Sequence, residues 1–343
     1  MPSTYAHRRF GADVLALLPD GLRATLEQHR ELYDISLHGP DLMFYYKALQ
    51  SNPVNRLGNA MHEQKGEVFF TRARTVVENA TDKSAALAYA LGFVCHFALD
   101  STCHPYVEAY VRESGVGHCE IETEFDNALM REDGLDPIKF FTASHIKPSR
   151  ERAEVIAPFY EGVTVDETLA AMKGMITVHH FLQAANPVKR WVVLTGMRVA
   201  GKYEFMHGLV ANPQPNPKCV QSSQKLEELY KTAVPLAVRL IEEYAENKPL
   251  STPPDRAQST FPLPIFSRRA CTLCSTKESI FQSPTQPQTL YTKLRSIFLP
   301  SAVWSTSGWN WTAYRPLASF SAAATGQLTV CAVTLKSGAA CSM

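Results

Sequence analysis

Through nearly all of the first 250 residues, apolar side chains recur at three- and four-residue intervals, and no stretch alternates with period two for long. The pattern runs through DVLALLPDGLRATLEQHRELY, NRLGNAMHEQKGEVFFTRARTVVENA and KSAALAYALGFVCHFALDSTCHPYVEAYVRES. It returns in DETLAAMKGMITVHHFLQAANPVKRWVVLTGMRVAGKY and in SSQKLEELYKTAVPLAVRLIEEYAEN. Each such helix has an apolar face that only another helix can cover, so the expected fold is all-α, a single multi-helix domain over residues 1–250. Helix starts are expected at Asp82, at Asp166 with Thr168 nearby, and at Ser222. The sequence holds no internal repeat and no glycine-rich phosphate loop.

Composition changes near residue 250. Residues 251–343 carry ten charged side chains, only two of them carboxylates, and no His, and they are rich in Ser, Thr and Pro, as in STPPDRAQSTFPLPIF. The expectation there is a tail of low order, or a small β module built on runs such as QLTVCAVTL. Cys271 and Cys274 form a single C-x-x-C and lack the second tight pair of a zinc ribbon. With 34 Lys and Arg against 33 Asp and Glu, the chain does not have the basic balance of a phosphate-tracking protein, so no stable nucleic-acid partner is expected. The first twenty residues contain no long apolar region, and eight Cys in 343 residues are too few for a disulfide scaffold. Together these predict a cytoplasmic protein with reduced thiols.

All eleven His lie before Val210. In CHFALDSTCHPY, His96, Asp100 and His104 stand four residues apart on an apolar run, so on a helix they fan over roughly 80° of one face with a rise of about 6 Å per step. In GHCEIETEFD, His118 and Glu122 repeat the spacing on a second expected helix. Such a pair presents an imidazole and a carboxylate to one ion without bending the backbone. His62 lies on the run beginning at Asn55, Asp41 in HGPDLMFYY, and His7 near the amino terminus. His29, His145, His179, His180 and His207 read as ordinary core or surface residues. Cys95, Cys103 and Cys119 flank candidate ligands but turn about 100° away on a helix, which places them behind the site.

With these motifs in place, His-x3-Asp-x3-His followed by His-x3-Glu, the first 250 or so residues resemble the zinc-dependent phospholipase C family and, more distantly, the P1/S1-type nucleases. The resemblance implies an all-helical phospholipase C/P1 nuclease-like domain holding two to three Zn2+ ions per chain. It implies one zinc held by His62, His96 and Asp100, and a second by His104, His118 and Glu122. A third would use His7 and the amino terminus, with Asp100 bridging it to the first. Loss of Met1 would leave Pro2, five residues before His7, as that terminal ligand. Asp41 falls where the family keeps the carboxylate that orients or deprotonates the attacking water. Choline-preferring members carry aromatic residues at the positions of Leu42 and Asn59, so no aromatic cage for a quaternary ammonium is indicated.

The activity implied is that of a zinc-dependent phosphodiesterase hydrolysing phospholipids, phospholipase C type, through a metal-activated water that attacks phosphorus. Its partner would be a phospholipid or other phosphodiester, met through peripheral membrane contact. A P1/S1-like nuclease and a non-catalytic zinc-binding interaction protein are the alternatives.

Overall fold

The computed structural model describes residues 4–248, Leu250 and two short strands, Ala318–Ala322 and Leu328–Ala332. The chain divides into two units between Cys271 and Thr272. In the first, the described residues form helices and turns with no strand. The helices are α1 (Thr4–Leu17), α2 (Asp20–Gln28), α3 (Arg30–Ser36), α4 (Pro53–Glu63), α5 (Gly66–Asn79) and α6 (Lys83–Ser114). They continue with α7 (His118–Glu132), α8 (Arg150–Ile156), α9 (Val165–Leu182), α10 (Pro187–Val199), α11 (Tyr203–Met206) and α12 (Val220–Ala245). A 3-10 segment, Gly39–Tyr45, joins α3 to α4.

α6 is the axis of this unit. It packs against α12, α3, α5 and α1, and Ala88, Tyr89, Ala90, Leu91, Val94 and Ala98 along it are buried completely. By length and composition alone it could cross a membrane, yet 83% of its most apolar window is buried inside the protein. Its start is fixed by Asp82, whose side chain accepts from the Ala85 N–H at 3.0 Å. Its end is fixed by Gly115 in the left-handed conformation, φ 68°.

Several expected boundaries shift, each for a local reason. α9 starts one residue before Asp166, because Thr164 and Glu167 form a reciprocal capping box there. α12 starts at Val220, two residues before Ser222, because a 3-10 turn, Pro217–Cys219, capped by Asn216, feeds into it. Ser222 is then buried and donates its hydroxyl hydrogen bond to the Cys219 carbonyl at 3.0 Å. The apolar run from Asn55 to Ala80 is two helices, broken where Gln64 and Lys65 are extended.

In the second unit β1 (Ala318–Ala322) pairs antiparallel with β2 (Leu328–Ala332), Phe320 standing opposite Val330. β2 lies within QLTVCAVTL. Most of the expected tail, with Cys271 and Cys274, lies outside the described residues.

Candidate metal centre

The four-residue row on α6 brings its side chains to one place, and α1, α4, α7 and the 3-10 segment bring the rest. His7 Nε2 lies 3.1 Å from Asp100 Oδ1, while His96 Nε2 and His104 Nε2 lie 3.3 and 3.6 Å from Asp100 Oδ2. His62 Nε2 is 3.0 Å from Asp41 Oδ1. Glu122 Oε1 sits between His104 Nε2 at 3.2 Å and His118 Nε2 at 3.1 Å. Three donor groups result, His7–His96–Asp100, Asp41–His62–His96 and His104–His118–Glu122, each with its ligand atoms within 4.8 Å of one another. His96 belongs to two of them, and Asp100 reaches toward the third. Every residue of the expected set except Pro2, which lies outside the described residues, is therefore in one cluster. Asp41 stands among the donors, grouped with His62 and His96, rather than apart from them.

Local bonds aim the rings. His62 Nδ1 lies 2.7 Å from the Gly58 carbonyl, which can only accept, so Nδ1 carries the hydrogen and Nε2 keeps its lone pair for the centre. His118 Nδ1 likewise donates to Glu108 Oε1 at 3.1 Å. Glu108 was not among the expected residues, although it continues the row His96, Asp100, His104 by four more positions.

The centre is buried: all eight of its described side chains are at most 7% exposed. Burial, helped by the neighbouring His7 and His62, drives His96 down to about 3 against the pull of Asp100 and Asp41. For Asp100 burial opposes ionisation but is outweighed by His104, His96 and the His7 hydrogen bond, which hold the carboxyl well below its usual range. Glu122 behaves in the same way against His118 and His104, and Asp41 is lowered by His62 and His96 against the same burial. His118, between two carboxylates, is raised to about 9 despite burial. Cys95 and Cys119 are pushed by burial up to about 12, so both remain thiols and pack behind the site as expected.

Three carboxylates held low and five imidazoles buried side by side are a donor set that a bound cation would stabilise. The donors fit zinc, being nitrogen and oxygen only. His96 is the sharpest sign: it is fully buried, and neither ring nitrogen makes a hydrogen bond.

The supports reach outward. Gly39, at φ 48°, lies so close to His96 that a Cβ would overlap the ring. Its carbonyl accepts from the Tyr160 hydroxyl at 2.8 Å, and Tyr89 lies 2.8 Å from that hydroxyl in turn. Asp126 on α7 accepts from the backbone N–H groups of Tyr5 and Ala6 at 2.9 and 2.8 Å, which fixes the first turn of α1 and hence His7. Phe44 stacks on His62 at 5.4 Å.

The remaining histidines stay outside the cluster. His38 and His145 face each other at 2.6 Å, and burial lowers both. His179 lies 2.9 Å from the Tyr45 hydroxyl, and His180 stacks on Phe141. His29 meets Ser84, and His207 lies 3.3 Å from Glu120 Oε2.

Residues 6–170 match the zinc-dependent phospholipase C family. This stretch contains all eight described residues of the cluster, from His7 to Glu122, and ends within α9. α10 to α12 lie beyond the matched stretch. No curated protein and no solved structure matches the chain.

Proposed function

We propose that this centre hydrolyses the phosphodiester of a phospholipid in the phospholipase C manner, releasing an alcohol and a phosphomonoester. The observation that carries the reading is Asp100, one carboxylate within 3.6 Å of imidazoles at positions 7, 96 and 104. It joins separate donor groups into a continuous centre. His62 and His96, with Asp41 and Asp100, would hold one ion, and His104, His118 and Glu122 a second. His7 and Asp100 would hold a third, with Pro2 as the terminal ligand. Zinc, when bound, supplies Lewis acidity that makes water nucleophilic at neutral pH and draws the negative oxygens of a phosphodiester.

The chain's own residues do the rest. Asp41, kept ionised, accepts the proton of the attacking water at a carboxylate oxygen. Glu108 and the Gly58 carbonyl hold His118 and His62 in the tautomers that point Nε2 inward. The buried walls keep bulk water from competing with the substrate oxygens for these donors.

The test is metal analysis of the purified full chain followed by assay on phosphatidylcholine, phosphatidylethanolamine and single-stranded DNA. Two to three zinc ions and release of diacylglycerol with a phosphorylated headgroup are expected. Nucleotide release without lipid cleavage, or zinc without turnover of either substrate, would overturn the reading.

A further inference from the structure

Five of the nine large apolar side chains that stand exposed among the described residues fall between Phe181 and Val199. Four of them, Val188, Trp191, Val192 and Val199, are on α10 and are 54–86% exposed. At 100° per residue these four lie within about 100° of one another, on the side opposite Val193 and Met197, the two residues that α10 buries. α10 therefore presents an apolar face of four side chains to the outside.

Its charge is one-sided as well. From Thr168 to Tyr203 the chain has no Asp or Glu, but it has Lys173, Lys189, Arg190, Arg198 and Lys202. Two of these serve the fold: Lys189 Nζ donates to the His180 and Gln183 carbonyls at 2.6 and 2.7 Å, and Arg190 binds the Ala211 carbonyl and Asn212. Arg198, stacked over the Tyr203 ring at 3.9 Å, and Lys202 stay exposed at the end of the helix.

We propose that the outward face of α10 docks this protein onto an anionic lipid bilayer. Valines and a tryptophan on one face with cations beside them are what such an interface takes up: the indole sits at headgroup level and the cations meet lipid phosphates. A second copy is a poor occupant, because a two-fold contact through this face would set its cations against themselves. The face is also tied to the centre. Val193 and Met197 pack with Leu182, Ala184 and Val210, the neighbouring Leu209 packs on Phe44 and Cys119, and Phe44 stacks on His62. The proposal deepens the phospholipase reading, since it names the form in which the substrate is met, a packed bilayer.

The experiment is co-sedimentation of the metal-loaded full chain with large unilamellar vesicles of phosphatidylcholine, with and without phosphatidylglycerol. Binding is expected to the anionic vesicles and to fall with salt. The double variant Val192→Ser/Val199→Ser is expected to bind about tenfold more weakly or worse, and Arg198→Gln/Lys202→Gln to lose the preference for phosphatidylglycerol. Both should cleave a short-chain phospholipid kept monomeric at the rate of the unaltered chain. A chain whose Trp304, Trp309 and Trp311 are replaced by Phe reports on Trp191, whose emission should shift to the blue on vesicles. Failure to sediment with any vesicle overturns the proposal. So does a dimer that the valine variant dissociates, or a Trp191 already shielded from acrylamide without lipid. Vesicle binding without lipid hydrolysis keeps the docking face and refutes the phospholipase reading. Hydrolysis of monomeric lipid without vesicle binding does the reverse.

Discussion

Gly39→Ala is the substitution that best separates the centre from the fold around it. Gly39 is at φ 48°, where a residue with a Cβ costs roughly 1–2 kcal/mol. That Cβ would also overlap the His96 ring, which is fully buried and has nowhere to go without disturbing Asp100 and His62, at roughly 1–3 kcal/mol more. The expected loss is therefore about 2–5 kcal/mol. Gly134→Ala is the control, since Gly134 is at φ 72° with nothing within 4 Å of the added carbon, and it should cost only the backbone part, about 1–2 kcal/mol. Urea unfolding of the two variants gives the difference, and titration with a competing chelator gives zinc affinity. Gly39→Ala should weaken zinc by about ten- to a hundredfold, as loss of a ligand's support does elsewhere, and Gly134→Ala should not. If the two variants match in stability and in zinc affinity, His96 is not held against Gly39 as part of a metal centre.

Other perturbations address the remaining parts. Asp41→Asn should lower turnover by about a hundred- to ten-thousandfold while zinc analysis still finds the ion of His104, His118 and Glu122, and unchanged turnover would remove Asp41 from the chemistry. Chelation with EDTA should lower the melting temperature and added Zn2+ restore it, because Asp41, Asp100 and Glu122 lose their cations in a buried site; a melting curve indifferent to EDTA would show that the cluster is stable unmetallated. Burial raises Asp126 from 3.8 to about 7 against its two backbone hydrogen bonds. The folded protein thus keeps a proton that the unfolded chain gives up, and its stability from this residue is complete below pH 4 and lost as pH rises through 7. The stability gap between the unaltered protein and Asp126→Asn should therefore shift against the unaltered protein by up to about 1.4 kcal/mol per pH unit across that window. Chemical denaturation at pH 5 and pH 7.5 reads this, and a shift of the opposite sign would show that the two N–H bonds dominate.

The all-helical fold of the first unit was legible because a helix writes its buried face into the sequence every three or four residues. The donors on α6 and α7 were legible for the same reason, since i, i+4 spacing is itself a distance. Donors on different elements are not related by spacing. That Asp41 stands beside His62 depends on how the 3-10 segment packs on α4, and the resemblance, rather than periodicity, brought the two together. Glu108 was hidden differently: it sits in the same four-residue row, but its partner is a ring nitrogen of His118 across a turn that includes Gly115. Asp126 and Tyr160 act on backbone atoms, Tyr5 N, Ala6 N and Gly39 O, and no side-chain motif announces such partners. The helix starts at Val165 and Val220 moved from their expected places because Thr164 caps the first and a 3-10 turn capped by Asn216 runs into the second.

His96, Asp100 and His104 are graduations on one rod, the axis helix of the first unit. A rod of this kind cannot stretch to suit a guest: its marks stay about 6 Å apart along the axis whatever approaches. On the proposed function, diversification of substrate would come from pieces that border the rod, such as the 3-10 segment and α12. Redesign aimed at a new headgroup should therefore vary those borders and leave α6 untouched.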